Sequence, residues 1–214
     1  MRRSFGLFLL LLCLLSLPAC FDYRGMEDQI IVSGIAVDWK DEGYALTFEI
    51  VDVIGVENGQ FGSILLTTTG ETFALALSEA AEKLHREMYL GTLRVVLLGR
   101  SFAEEVGLMP IAAHLLYDKQ VRNSLPIAVV DEEEASGLFA EEKEGRRLVS
   151  TELSETISGG RNRGSTMTLH EIYTALITDV REIILPLVGA AEAEGLPFAL
   201  DGLVRFQDGR LQGR

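Results

Sequence analysis

The stretch IIVSGIAVDWKDEGYALTFEIV, residues Ile30–Val51, decides the fold class. Its first part, Ile30 to Val37, is a mostly apolar run interrupted by Gly34 and reads as a buried strand. Asp41-Glu42-Gly43 is a turn signal. From Tyr44 to Val51 the pattern alternates: Tyr44, Leu46, Phe48 and Ile50 share one face, and Ala45, Thr47 and Glu49 share the other. That is the period of a half-buried strand, and two such runs on a short turn predict a hairpin.

Toward the C-terminus, strands and helices mix. Gly55 to Gly62 reads as a loop and Ile64 to Thr69 as a strand. In ETFALALSEAAEKLHREMY, residues Phe73, Leu77, Ala80, Ala81, Leu84 and Met88 form a helical stripe, with Glu82 and Arg86 as a pair four residues apart. LRVVLL, Leu93 to Leu98, is a strand that is apolar except for Arg94. Ser101 with Glu104 has the spacing of a capping box, and Pro110 suits the first turn of a helix through IAAHLLYDKQV. PIAVV, Pro126 to Val130, is strand-like, and Glu132 to Ala140 predicts a short helix with acids at its start.

Glu141 to Thr166 has no apolar period and is expected to be an exposed connection, with room for one helical turn, and the boundary between two lobes. Leu169, Ile172, Tyr173, Leu176 and Val180 restore helical spacing. Ile183 to Val188 is a strand that Pro186 should place at an edge or a bulge. Leu200 to Phe206 is a strand closed by the tight turn Gln207-Asp208-Gly209-Arg210. The expected fold class is α+β, with mixed sheets, hairpins and packed helices in two lobes. The expected organisation is a signal peptide at 1–19, an N-terminal α+β domain at 20–140, the connection at 141–166, and an incomplete second α+β lobe at 167–214. Only Leu211 to Arg214 remain after that turn, and four residues are few for a returning strand, so a frayed end or a longer gene product is expected.

Ahead of the hairpin, Arg2 and Arg3 precede thirteen residues, Phe5 to Leu17, that are almost unbroken hydrophobe. A spanning helix needs about 20 residues, so this is the layout of a secretory signal peptide. Its end, Leu17-Pro18-Ala19-Cys20, looks like a bacterial lipobox. Cleavage is expected between Ala19 and Cys20, with a diacylglycerol thioether and further acyl groups such as palmitate on Cys20. The other cysteine, Cys13, leaves with the signal peptide, so neither a disulfide framework nor a cysteine metal site is expected. Loss of Arg2 and Arg3 takes the formal charge from −13 to −15. Such a surface repels nucleic acid and anionic headgroups, leaving the acyl chains as the membrane link.

No catalytic set stands out. His85 and His114 sit in helical patterns without acids at metal spacing, and His170-Glu171 opens like a zinc-protease motif but has Thr174 where the second His belongs. Asp131-Glu132-Glu133-Glu134 lacks the Gly turn and distal Glu of a calcium loop and reads as a solvated helix start. Ser158-Gly159-Gly160-Arg161-Asn162-Arg163-Gly164 lacks the Lys-Ser or Lys-Thr ending of a phosphate loop. No metal or cofactor is expected, and the chain does not read as an enzyme.

The order of features resembles the Ger(x)C family, the C subunits of germinant receptors in endospore-forming bacteria. Cys20-Phe21-Asp22-Tyr23-Arg24 stands where the family has a lipobox cysteine followed by Trp-Asp and a charged stretch. Ile31-Val32-Ser33-Gly34-Ile35-Ala36-Val37-Asp38 matches its strand with Gly and aspartate, and Thr68-Thr69-Gly70-Glu71-Thr72-Phe73-Ala74 its turn into a long helix. Val95-Val96-Leu97-Leu98-Gly99, with Phe102-Ala103 leading to Gly107, matches its apolar strand ending in Gly. Leu116-Tyr117-Asp118-Lys119-Gln120-Val121-Arg122 is similar to its Arg-Asp-x-x-x-Arg element, and Leu203-Val204-Arg205-Phe206 after Gly202 to its late strand. Phe21 replaces the family's Trp, Gly25 stands where Glu is expected, Gly91-Thr92 lies where a His is common, and the family's long C-terminal portion is absent. The resemblance implies a non-catalytic lipoprotein subunit of a nutrient germinant receptor, acting in spore germination. It would be lipid-anchored through Cys20 to the outer face of the cell or spore inner membrane, with integral-membrane A and B subunits as partners. The alternatives are an extracytoplasmic ligand-binding lipoprotein of a transporter, which needs a deep cleft between two lobes, and a lipoprotein hydrolase, which lacks a nucleophile.

Overall fold

A computed structural model describes Gly6 and residues 29–57, 60–140, 148–159, 167–178, 182–190 and 198–212. The signal peptide apart from Gly6, Cys20 and residues 160–166 lie outside these. The strands are β1 (Gln29–Lys40), β2 (Gly43–Glu57), β3 (Gln60–Gly70), β4 (Glu87–Tyr89), β5 (Val95–Leu98), β6 (Ile127–Val130), β7 (Ile183–Ala190), β8 (Phe198–Gln207) and β9 (Arg210–Gln212). The helices are α1 (Phe73–Leu84), α2 (Arg100–Glu105), α3 (Met109–Tyr117), α4 (Ser136–Ala140), α5 (Val149–Gly159) and α6 (Leu169–Thr178).

The strands form one mixed sheet in the order β3-β2-β1-β5-β6-β7-β8-β9, with β4 pairing the start of β1. β1, β5, β6 and β7 run parallel at its centre, and antiparallel hairpins flank them. The α+β class is therefore as expected. The predicted hairpin is β1–β2, with Asp41 (φ 50°) and Glu42 (φ 59°) left-handed at its turn. Its twist matches that of the strands, as in a type I′ turn.

Each face of the sheet carries its own core. On one side α1, α2, α3 and α6 cover Ile35, Val37, Phe48 and Val96. On the other, α4 and α5 cover Ala36, Val95, Leu97 and Val130. These two layers of helix bury both faces of β2. β2 was expected to be half-buried, but Ala45, Thr47 and Glu49 are buried as well as Tyr44, Leu46, Phe48 and Ile50. Burying an apolar side chain of Leu or Phe size contributes about 1.5–3 kcal/mol, so both faces add to stability.

The expected exposed connection over 141–166 is corrected within its described part. Residues Val149–Gly159 are helix α5, with Val149, Leu153 and Ile157 buried against the sheet. Those three apolar positions are separated by polar ones, so the stripe is narrow and was not visible as a period. Nor does a second sheet begin at 167: β7, β8 and β9 continue the first one. Residues past Gly209 are paired rather than frayed as far as Gln212, since Leu211 pairs with Phe206 and is buried.

Smaller differences have local causes. α1 ends at Leu84 because His85 turns left-handed (φ 51°), so Arg86 leaves the helix and Met88 joins β4. The pair four residues apart is Glu79–Lys83, at 3.0 Å, and the buried stripe is Phe73, Ala76 and Ala80. Ser101 lies inside α2, whose N-cap is Gly99 without a side-chain bond, so the expected capping box does not form. Strands reach Glu57 and restart at Gln60, which shortens the expected loop. Pro186 sits inside the sheet, just before the β6 pairing that starts at Leu187, and a bulge follows it.

Candidate functional site

The sequence motifs converge where the hairpin meets α4 and α5. Asp38, 1% exposed, accepts the backbone N–H groups of Ala135 at 2.6 Å and Ser136 at 3.1 Å. Glu49, fully buried, accepts those of Val149 at 2.6 Å and Ser150 at 3.2 Å, and its Oε2 also receives the Ser33 hydroxyl at 2.6 Å. A helix start leaves N–H groups without partners inside the helix, and the dipole favours a negative group there. Each acid supplies that cap from a distant strand. Burial pushes the Asp38 carboxyl above its ordinary range, against its backbone hydrogen bonds. Gly34 makes room for this packing: a Cβ there would lie 2.7 Å from Phe139 Cζ and 2.8 Å from Ser150 Cβ. Gly99 donates its N–H to Val37 at 2.9 Å and lies against Asp38. Both acids are structural, and sequence reading missed Glu49 because its alternation marked a solvent face.

The other candidates are dispersed. His85 caps the end of α1, and His114 packs its ring against Phe73 at 5.0 Å. His170 is exposed in the first turn of α6. Glu171 closes a capping box with Thr168, accepting its N–H and its hydroxyl at 2.9 Å each, which accounts for the partial zinc-protease pattern. Asp131 pairs with Arg100, and Glu134 with Lys40 at 2.7 Å. These acids precede α4 rather than starting it. Among the described residues no group of three or more metal-ligating side chains comes together. No described helix is long and apolar enough to cross a membrane.

A cleft of about 580 Å³ opens beside the β8–β9 turn, lined among others by Met109, Leu176, Glu182, Arg205, Phe206 and Asp208. The turn has Asp208 and Gly209 left-handed (φ 51° and 76°), and the Gly209 carbonyl accepts the Leu108 N–H at 2.8 Å. That bond fixes the hairpin to the start of α3. Glu182 and Arg205 pair within the cleft lining. Nearby on α3 and α6, Met109 and Ile177 are exposed, and Tyr117 meets Tyr173 edge-on at 6.1 Å. Their hydroxyls lie 3.3 Å apart, which raises the Tyr173 pKa. Among the described lining residues there is no serine, cysteine or histidine. Apolar and aromatic groups around a charged pair suit contact with another protein surface.

A profile of the family described as spore germination protein N-terminal domain matches residues 22–190. The chain is 26% identical over 146 residues to spore germination protein KC of Bacillus subtilis (strain 168), covering 64% of this chain and 36% of that protein. It is 25% identical over 195 residues to spore germination protein GerQC of Bacillus cereus, covering 89% of this chain and 52% of that protein. The crystal structure of the GerBC protein is similar with a TM-score of 0.41 and 16% identity, covering 84% of this chain and 50% of that one. The chain thus spans between 36% and 52% of the length of these curated relatives.

Proposed function

We propose that this chain, which belongs to the spore germination protein N-terminal domain family, is a non-catalytic, membrane-anchored subunit of a nutrient germinant receptor. The observation that carries the reading is the family match over residues 22–190, a span that includes both helix-capping acids and the central parallel strands. The names of the relatives, spore germination proteins KC and GerQC, point the same way. The sequence LPAC supplies the anchor: cleavage between Ala19 and Cys20 and lipidation of the Cys20 thiol would tether the domain to the outer face of the cell or spore inner membrane. Its partners would be integral-membrane A and B subunits. The exposed Met109 in the cleft lining, with the exposed Tyr117 and Ile177 on the same two helices, are the kind of anchors such contacts use.

Deletion of the gene in its spore-forming host tests the reading. Slowed or abolished germination toward at least one nutrient, together with co-purification of an integral-membrane receptor subunit, is expected. Normal germination across a broad nutrient panel overturns it. The ligand-binding alternative draws no support from the cleft of about 580 Å³, which lies beside a hairpin turn of a single sheet.

A further inference from the structure

Arg94 and Arg122 line a second cleft, of about 430 Å³, with Ser124, Ser154 and Ser158 around an apolar wall that includes Ile157. Arg122 Nη2 donates to the Leu93 carbonyl at 2.9 Å, which holds its guanidinium beside the residue preceding Arg94. Two cations therefore share one cleft in a protein whose formal charge is −13. Among the described residues neither has a carboxylate partner. Glu171, the acid tied to the lining residue Thr168, already accepts two hydrogen bonds there. Like charges kept together without a counter-ion create a demand for an anion, and guanidinium forks match oxyanions in geometry. Two forks with the Ser124 and Ser154 hydroxyls offer more donors than the two oxygens of a carboxylate accept, whereas a phosphate has enough acceptors.

We propose that the Arg94–Arg122 cleft is a phosphate-binding subsite, filled by free phosphate or by the phosphate of a phospholipid headgroup. The topology makes the second source available. β1, β5 and β6 are parallel, so their first residues lie along one side of the sheet. Arg94 immediately precedes β5, and Arg122 and Ser124 precede β6 on that same side. The chain enters β1 at Gln29, nine residues after Cys20, a tether of at most about 30 Å. The headgroup source rests on the anchoring of Cys20 proposed above, and the subsite itself does not. Net repulsion from an anionic surface is screened beyond about 8 Å at physiological salt, so a local pair of arginines decides contact at short range.

The full-length lipoprotein, in neutral detergent, is heated with inorganic phosphate or with chloride at equal ionic strength. Phosphate is expected to raise the midpoint of unfolding. Arg94→Gln, at an exposed side chain, is expected to weaken phosphate binding about tenfold while the midpoint in chloride stays unchanged. Hydrogen exchange in nanodiscs of phosphatidylglycerol and phosphatidylcholine separates the sources. Protection around Arg94 and Ser124 that Arg94→Gln abolishes assigns the headgroup, and a phosphate response without it assigns free phosphate. No phosphate response, or an equal response in Arg94→Gln, overturns the proposal. The mass of Cys20 is read in the same preparation: an unlipidated Cys20 defeats the anchoring and leaves the phosphate arm decisive.

Discussion

Glu49 in β2 accepts the backbone N–H of Val149 at 2.6 Å, across one hundred positions of sequence. That bond, with those to Ser150 and Ser33, ties the hairpin to a helix that local pattern alone does not reveal. Removing the acid leaves buried donors without a partner. Each costs about 1–3 kcal/mol, so Glu49→Ala is expected to lower stability by roughly 3 kcal/mol or more. Glu49→Gln, which keeps an acceptor, should lose less. Urea unfolding checks both, and a loss below about 0.5 kcal/mol for the alanine variant would refute the capping role.

Gly34→Ala should be destabilising by about 1–3 kcal/mol, because the added methyl meets Phe139 and Ser150 on packed elements. Phe139→Leu removes the ring edge and also opens a gap. Combined with Gly34→Ala, its cost should be less than the sum of the single variants, since the methyl and the lost ring share one space. Additive losses in a double-mutant cycle would show that the contact is not the cause.

Asp38 gives a pH dependence opposite in sign to that of an exposed salt-bridged carboxylate. Burial, the largest influence, raises its folded pKa above 3.8. Between the unfolded and folded values the native state therefore holds more protons, and stability attributable to Asp38 falls as pH rises through that window. Wild type should lose stability relative to Asp38→Asn as pH rises from about 3.8, and the difference should level off once the folded carboxyl is ionised. Urea titrations of both proteins across this range check the slope. A difference that grows in favour of wild type with rising pH would contradict the cause assigned.

Cys20→Ala should release the protein into the soluble fraction or leave the signal peptide attached. Loss of two or three acyl chains, at about 0.8 kcal/mol per buried methylene, removes any durable anchor. Fractionation and intact mass decide it: a membrane-retained mature form with a free Cys20 thiol would rule the lipidation out.

The motifs whose order resembled Ger(x)C did identify the family, and their packing now has physical reasons. Asp38 and Gly99, far apart in sequence, meet at the start of α4, where one gives a cap and the other space, and Gly34 makes room for Phe139 of α4 and Ser150 of α5. The β1–β2 hairpin, the Pro110 helix and the Asp208-Gly209 turn were legible because each is set by neighbours in the chain. The capping box at Ser101 was misread because Gly99, held by the Val37 carbonyl, starts the helix two residues earlier. The cleft beside the β8–β9 turn had no sequence signal, since its lining comes from α3, α6, β7 and β8.

What the sequence determined by itself was what short-range chemistry specifies: strand alternation, helix periods, left-handed turns and the lipobox pattern at Leu17–Cys20. What only the tertiary structure decided was which faces are buried and how many lobes share them. Thr47 and Glu49 read as solvent-facing because their polarity matches an exposed strand face. They are buried because α4 and α5 pack over that face, and Glu49 is tolerated there because the helix start supplies its hydrogen bonds. Similarly, β7 to β9 could have begun a second sheet. They extend the first because β7 pairs with β6 in parallel register, a long-range contact that no local period encodes.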